Sequence, residues 1–277
     1  MNPTHTDSDQ QTLTRKQRRE HAREQRKAIE QALVTSAARR TRLTQLAIVA
    51  TVIVIGIVGV LVASGGGSGA AGGGSPGNAK TVDGEVSRLL AGIPQSGNML
   101  GAPTAPVTLQ YFGDLECPVC RAFTLSALPD IIGKQVRDGK LRIEYHSLET
   151  ATREQEVFKA QQVAALAAGK QDRMWNFVET FYHEQGEEDS GYVTERFIQG
   201  IASQVPGLNL AQWTRERGEE ELANDVETDA QTAAGAHLEG TPAFLLGRSG
   251  GAMTKFEPSS YTESGSFEAA IEKLAAS

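Results

Sequence analysis

An uninterrupted apolar run divides this chain into two unequal parts. Residues Leu46 to Ala63 form 18 consecutive positions without a charged side chain. As an α-helix they would rise about 27 Å, close to the roughly 30 Å hydrocarbon thickness of a bilayer. A core helix of a soluble domain normally keeps a polar face, and this run has none. The run is therefore predicted to cross a membrane, and any globular fold must be built from the residues that follow it.

The charges that flank the run predict its orientation. Residues 1–45 carry ten Lys and Arg against five Asp and Glu, and after the run no basic residue occurs until Lys80. The positive-inside rule places such a basic tail in the cytoplasm and the remainder outside it. We therefore predict a single-pass signal anchor over residues 46–64. A cleaved signal peptide is the alternative, although its usual tail and apolar region are shorter than these.

Composition separates a linker from a folded domain after the run. Residues 65–77 contain eight glycines, which predicts a flexible linker over residues 65–80 because such a segment cannot bury apolar surface. Residues 81–277 have the length of one ordinary domain. The whole chain has a net charge of −7, and its basic part is confined to one end. A globally acidic chain argues against nucleic-acid binding.

The patterning of residues 81–277 predicts an α/β fold. A strand, a helix and a second strand occupy about 40 residues, which is typical of a parallel β-α-β unit. A block of helices over about residues 150–237 then separates this unit from the later strands, so we predict a helical insertion between two halves of one sheet. The predicted elements are strands at 107–112, 141–145, 243–246 and 255–257, and helices at 117–136 (interrupted at Pro129), 154–168, 174–182, 194–204, 210–236 and 266–274.

Two cysteines stand three positions apart where the first strand gives way to the first helix, as Cys117-Pro118-Val119-Cys120. Residues i and i+3 of a first helical turn share a face, so the two sulfurs are able to form a disulfide with little backbone movement. The free N–H groups at a helix N-terminus favour the thiolate form of Cys117. Cys120 lies one turn further in, where it is placed to resolve a mixed disulfide. The spacing therefore favours thiol–disulfide exchange.

Three other interpretations of the pair stay open from the residues alone. A structural disulfide closing so short a loop would stabilise the fold little. A metal site would need further ligands, and the histidines outside the tail have no standard metal spacing. The third interpretation is that the spacing of the two cysteines is accidental and that both are ordinary buried thiols. The predicted position outside a membrane, where disulfides persist, favours the redox interpretation.

Two groups of residues resemble the DsbA-like branch of the thioredoxin superfamily, and the resemblance covers about residues 86–277. One group precedes and includes the cysteine pair, and the other lies after the helical block. The motifs are Gly92-Ile-Pro94-Gln, Leu100-Gly, Ala105-Pro-Val-Thr, Cys117-Pro-Val-Cys120 and Gly240-Thr-Pro-Ala-Phe. The resemblance implies a thioredoxin fold with an inserted helical domain, in which Cys117 attacks and Cys120 resolves. It also implies a cis peptide bond before Pro242, with Thr241 bonding a substrate backbone.

The residues between the cysteines depart from the family pattern. DsbA has a histidine there, which stabilises the thiolate, whereas Pro118 and Val119 donate no side-chain hydrogen bond. Asp114 and Glu116 are expected to oppose a thiolate at Cys117, with Arg121 as a partial offset. We therefore expect a pair that is less oxidising than DsbA, whose potential is about −120 mV.

The resemblance implies that the chain is an extracytoplasmic bacterial oxidase. It would introduce disulfides into reduced exported proteins and be re-oxidised by a membrane quinone-linked enzyme of the DsbB or vitamin-K-epoxide-reductase type. The cysteine pair would be the only redox group, with no metal and no organic cofactor. The alternatives are a tethered thiol reductase and a redox-inert binding module with the same fold. An isomerase is disfavoured, because residues 81–100 are too few for a dimerisation domain.

Overall fold

The computed structural model of this protein describes residues 82–188 and 190–276. The predicted basic tail, membrane anchor and linker occupy residues 1–80, so these predictions lie outside the described part of the chain. Among the helices that are described, none is both long and apolar enough to cross a bilayer.

The described ranges contain six β-strands, eight α-helices and one π-helical turn. The strands are β1 (Gln95–Ser96), β2 (Met99–Leu100), β3 (Val107–Gly113), β4 (Leu141–Ser147), β5 (Ala243–Arg248) and β6 (Thr254–Phe256). The α-helices are α1 (Val82–Leu90), α2 (Pro118–Ile131), α3 (Gln155–Gly169), α4 (Met174–Glu184), α5 (Glu195–Ser203), α6 (Leu210–Glu216), α7 (Glu220–Gly235) and α8 (Gly265–Ala275), and the π-helical turn spans Ile132–Val136.

The strands form one sheet in the order β1-β2-β4-β3-β5-β6. β3 and β4 run parallel with Tyr111 opposite Tyr145, which confirms the predicted parallel unit around α2. β5 pairs antiparallel with β3, so Phe244 lies opposite Tyr111 on the other side. β3 is therefore the central strand, and its carboxyl end leads directly to the cysteine pair.

Helices cover both faces of this sheet. On one face Tyr111 packs against Phe123 of α2, with ring centroids 5.0 Å apart, and Phe123 packs in turn against Phe244 and Phe267. Edge-to-face aromatic contacts of this kind add to the burial of apolar area. On the other face Phe112 packs with Ala233, Leu238 and Leu245, so the end of α7 covers β3 and β5.

The helical block between β4 and β5 comprises α3 to α7, as the sequence predicts. One prediction within it is wrong, because the single helix expected over 210–236 is two helices that break at Gly218. Gly218 is a poor helix former, and its N–H bonds to Arg215 in a turn. Both helices pack on α3, where the Trp213 indole of α6 donates to the Ala164 carbonyl, and α7 also packs on β4.

The structure adds three features to the predicted elements. Helix α1 and the β1–β2 hairpin precede β3, and strands of two residues are too short to show alternation in the sequence. Helix α2 continues through Pro129 and changes to π-helical bonding only at Ile132. The interruption expected at Pro129 is therefore wrong: Pro129 lacks its own N–H bond, but the α-helix runs on to Ile131.

Candidate active site

Cys117 lies at the point where β3 ends and α2 begins. It is the N-cap residue of α2, with an extended backbone (φ −75°, ψ 119°), and Pro118 occupies the first helical position. Its N–H donates to the Asp114 carbonyl at 2.9 Å, which closes a tight turn ahead of the helix. The Cys117 side chain therefore lies beside the unpaired N–H groups of the first turn of α2, where an anion is favoured.

The carboxylate of Asp114 holds this turn against the loop that follows β4. Asp114 is fully buried. Its Oδ1 accepts the Glu116 N–H and the Thr152 hydroxyl, at 3.1 and 2.7 Å. Its Oδ2 accepts the N–H groups of Thr150, Ala151 and Thr152, at 2.7 to 3.0 Å. Five hydrogen bonds satisfy the buried charge and fix the position of the cysteine turn.

The loop before β5 contacts both cysteines. The Thr241–Pro242 peptide bond is cis. The Thr241 carbonyl accepts a hydrogen bond from the Cys117 thiol at 3.3 Å, and the Thr241 side chain acts to lower the pKa of the Cys120 thiol. The Thr241 hydroxyl also bonds to the hydroxyl of Thr150. The structure thus brings Cys117, Cys120, Thr241 and Pro242 together from segments more than 120 positions apart.

The two thiols differ in their environments. Both are buried thiols. Burial raises the pKa of the Cys120 thiol well above its usual value, and the hydrogen bond and charge of Cys117 raise it further. The Asp114 backbone and the Thr241 side chain act in the opposite direction with smaller effect. A proton shared by the pair therefore belongs on Cys120, which leaves Cys117 as the nucleophile.

Three buried tyrosines form the floor of the site. Tyr111 of β3 donates to the Tyr182 hydroxyl at 3.2 Å, and Tyr182 of α4 donates to the Asp114 carbonyl at 3.2 Å. Burial raises the pKa of Tyr111, Tyr145 and Tyr182 well above the ordinary value, so all three stay neutral. A Cβ at Gly113 would lie 2.9 to 3.1 Å from Tyr145 and Tyr182 atoms, so this strand end requires glycine.

The inserted helices also hold the start of α2 directly. The Gln185 amide donates to the carbonyls of Leu115 and Cys117, at 2.7 and 3.2 Å. The Arg121 guanidinium donates to the Tyr182 carbonyl at 2.9 Å, near the end of α4. Arg121, expected from the sequence to offset the acidic residues near Cys117, thus joins α2 to the insertion.

The remaining predicted site residues lie at the same turn. Pro118 is half-buried and Val119 is buried in the first turn of α2. Glu116 is also buried, and it lines a cleft of about 350 Å³ together with Thr152, Glu154 and Val193. Within the two described ranges, no three His, Cys, Asp or Glu side chains gather in a way that would hold a metal ion.

Sequence reasoning missed several residues that shape the site. It treated Asp114 only as a charge opposing the thiolate, whereas the structure gives its carboxylate five donors. An acidic residue directly after a buried strand was the available signal. Thr150, Tyr182 and Gln185 carried no signal, because their contacts depend on how the helical block docks on the sheet.

Comparison with known proteins identifies relatives of the described domain. The family model Thioredoxin_4, described as thioredoxin, matches residues 95–261, a range that contains both the cysteine pair and the proline loop. A protein of Bacillus anthracis named probable disulfide bond formation protein D is 24% identical over 148 residues, which cover 53% of this chain and 68% of that protein.

Solved structures share the fold at low sequence identity. Oxidised BdbD from Bacillus subtilis superposes with a TM-score of 0.56 at 20% identity, covering 66% of this chain and 97% of that chain. Alpha-DsbA1 from Wolbachia pipientis superposes with a TM-score of 0.54 at 18% identity, covering 68% of this chain and 92% of that chain. The likeness to these structures concerns the fold, including the helices inserted between β4 and β5.

Proposed function

Because this chain belongs to the thioredoxin family and is a DsbA-like thiol:disulfide oxidoreductase, we propose that it works as a dithiol oxidase. Its Cys117–Cys120 disulfide would oxidise reduced exported proteins outside the cytoplasm. The names of the bacterial relatives, which describe disulfide bond formation, support this direction.

The reaction proceeds by two exchanges. A substrate thiolate attacks the Cys117 sulfur, the bond to Cys120 breaks, and Cys120 leaves and takes up a proton. A second substrate thiolate then attacks the substrate sulfur of the mixed disulfide, and Cys117 leaves as a thiolate. The substrate loses two electrons and gains a disulfide, and the cysteine pair is reduced to two thiols.

The asymmetry of the two thiols is the observation that carries this proposal. Cys120 has a raised pKa because it is buried, so it holds its proton and is poised to resolve a mixed disulfide from within. Cys117 has the helix N-terminus beside it, which favours its thiolate. A structural disulfide has no need of such a difference between its two sulfurs.

The proline loop provides the proposed substrate contact. Thr241 lies beside Cys117, two residues before β5, and its backbone would pair with an extended segment of the substrate polypeptide. Pro118 and Val119 complete the surface around Cys117. We assign no metal and no organic cofactor to this reaction, because the cysteine pair itself carries both electrons.

The proposed setting is the outer side of a bacterial cell membrane. The apolar run at residues 46–64, the basic tail before it and the glycine-rich linker after it support a single-pass anchor with a cytoplasmic N-terminus. Re-oxidation would come from a quinone-linked membrane enzyme of the DsbB or vitamin-K-epoxide-reductase type. The tether would keep the domain within reach of such a partner.

A reductase is the second candidate, and one observation favours it. Neither Pro118 nor Val119 donates a side-chain hydrogen bond to the Cys117 thiolate, and weaker stabilisation of the reduced form lowers the reduction potential. A sufficiently low potential would make the pair a donor of electrons to other disulfides. The same chemistry would then run in reverse.

Transfer of a disulfide to a reduced dithiol peptide tests the proposed function. The oxidised full-length protein is expected to convert about one equivalent of peptide and to lose its own disulfide. In a separate assay with a peptide disulfide, the reduced Cys120→Ser variant should accumulate a mixed disulfide at Cys117 as the second peptide sulfur leaves as a thiol, and the Cys117→Ser variant should accumulate none. An oxidised wild-type protein that leaves the peptide reduced would contradict an oxidase.

A further inference from the structure

Two chain segments flank the cysteine pair, and they are joined to each other at two places. One segment continues from β4 through residues 148–152, and the other runs from α7 through residues 236–242. Next to Cys117 the two segments are joined by the hydrogen bond between the hydroxyls of Thr150 and Thr241. Further from the site they are joined by the side chain of Asp229.

Asp229 uses both of its carboxylate oxygens at this second junction. Oδ1 lies 2.6 Å from Nδ1 of His146, and Oδ2 accepts the Ser147 N–H at 2.7 Å and the Ser147 hydroxyl at 3.0 Å. The side chains of Asp229 and His146 are each only 15% exposed. Hydrogen bonds between charged and partly buried groups are among the stronger contacts in proteins. We call Asp229, His146 and Ser147 the clasp.

The surroundings of His146 keep its imidazole charged. Its ring stacks on Phe112 with centroids 4.9 Å apart, and its Nε2 lies 3.9 Å from a carboxylate oxygen of Glu144. Burial alone would lower the pKa of His146, but the carboxylates of Asp229 and Glu144 outweigh it and raise the pKa to about 9. The clasp is therefore an ion pair at neutral pH.

Short, well-packed segments connect the clasp to the proline loop. Beyond Asp229, α7 ends at Gly235, and the chain reverses at His237, which has a positive φ of 54°. The Leu238 N–H then bonds back to Ala233 at 2.9 Å, and both residues pack on Phe112. Only two residues separate Leu238 from Thr241, so a displacement of α7 reaches the Thr241 carbonyl.

Residues 148–152, which form the other segment, are also held by hydrogen bonds. Ser147 ends β4, and three residues later the N–H groups of Thr150, Ala151 and Thr152 bond to Asp114. The clasp, the two segments and the Thr150–Thr241 contact thus form a closed ring beside the cysteine pair. Because the connecting segments are short and packed, we infer that a change at the second junction displaces the first.

We propose that the clasp positions the proline loop, so that Asp229 and His146 are positioning residues that tune the redox equilibrium of Cys117 and Cys120. In the reduced pair the protonated Cys117 thiol donates to the Thr241 carbonyl, and a disulfide has no S–H to donate. Opening the clasp would weaken this bond and so destabilise the protonated, reduced form. The biological role of this tuning rests on the proposed function.

Equilibration of the full-length protein with glutathione buffers tests the clasp. In Asp229→Ala and in His146→Gln, the equilibrium constant is expected to shift about three- to tenfold toward the disulfide, the range seen for networks of connected contacts. The double variant should shift no further than the larger single effect, because both changes open one junction. Asp229→Glu keeps the charge and should recover part of the shift.

The matched control is Glu227→Gln, which removes an exposed carboxylate from the same helix. If the clasp variants lose stability but keep a glutathione equilibrium constant within about twofold of this control, the clasp is only structural and the proposal is wrong. Asp229→Asn replaces Asp229→Ala if the latter does not fold. Glutathione exchange belongs to the pair itself, so it stays measurable even if peptide oxidation fails.

Discussion

The two sulfur atoms of this site have different surroundings although only two residues separate them. Cys117 caps a helix, and Cys120 is enclosed within its first turn above three neutral tyrosines. Burial and the neighbouring sulfur raise the pKa of Cys120, so ionisation of the pair is concentrated on Cys117. The direction of attack follows from this difference at the scale of single residues.

Alkylation of the reduced protein measures that difference. Under native conditions at pH 7, iodoacetamide should modify Cys117 at least about tenfold faster than Cys120, because only the thiolate reacts. Peptide mapping after short exposure gives the two rates, and unfolded protein serves as the control in which the rates converge. Equal and slow modification of both cysteines in the native state would instead favour a redox-inert binding module.

A separate prediction at the residue scale concerns Glu179 and the pH dependence of stability. It is completely buried in α4, and neither carboxylate oxygen has a hydrogen-bond partner among the residues that the structure describes. Burial raises the pKa of Glu179 from 4.5 to about 8. The native state therefore holds a proton that the unfolded state releases between these values. The resulting stability is fully present below pH 4.5 and is lost as the pH rises through about 8.

Urea unfolding at several pH values tests the Glu179 prediction. The Glu179→Gln variant has no proton to lose, so its advantage over the wild type should grow from pH 5 to pH 9 and reach about 2–4 kcal/mol. Glu184→Gln, an exposed position at the end of the same helix, is the matched control and should follow the wild type. Parallel pH profiles for all three proteins would show that the native fold does not raise the pKa of Glu179, which would contradict the prediction.

At the scale of elements, the site depends on how the turn before α2 is fastened to the loop after β4. Asp114 alone makes this connection with five hydrogen bonds, while Gln185 and Arg121 fasten the turn to the insertion. The inserted helices are therefore part of the active-site scaffold, and α4 contributes Tyr182 to its floor.

Replacing Asp114 by Asn should uncouple these elements. An amide has one acceptor oxygen in place of two, so at least two buried donors, such as the Glu116 N–H and the Thr152 hydroxyl, lose their partner, at a cost of about 2–4 kcal/mol in the free energy of unfolding. Asp138→Asn, an exposed position paired only with Lys140 at 3.5 Å, should cost less than about 0.5 kcal/mol. Chemical denaturation compares the two variants, and similar losses would contradict the role given to Asp114.

Some elements of the fold are predictable from the sequence and others are not. Alternation of apolar residues predicted β3 and β4, a short apolar run predicted β5, and the strand-to-helix position of Cys117 followed from the first of these strands. The β1–β2 hairpin was not predicted, because strands of two residues show no periodicity. The bonds of Asp229 in α7 to His146 and Ser147 of β4 carry no sequence signal, since docking of a helix is decided by tertiary contacts.

At the scale of the whole molecule, one sheet brings together residues that the chain keeps far apart. The helical block separates the cysteine pair from the proline loop by more than 120 positions, and the β3–β5 pairing reunites them. Family resemblance anticipated the meeting of Cys117 with Thr241 and Pro242. Periodicity and spacing alone placed the cysteines correctly but gave no partner across the sheet.

The reduction potential of the Cys117–Cys120 pair tests the central claim most directly. The full-length protein is equilibrated in glutathione buffers, and the fractions of dithiol and disulfide are counted after trapping the thiols. An oxidase that lacks a hydrogen-bond donor between its cysteines should have a potential between about −120 and −200 mV. A potential near −270 mV would indicate a reductase, and the absence of any dithiol–disulfide transition would contradict the account of this site as a redox centre.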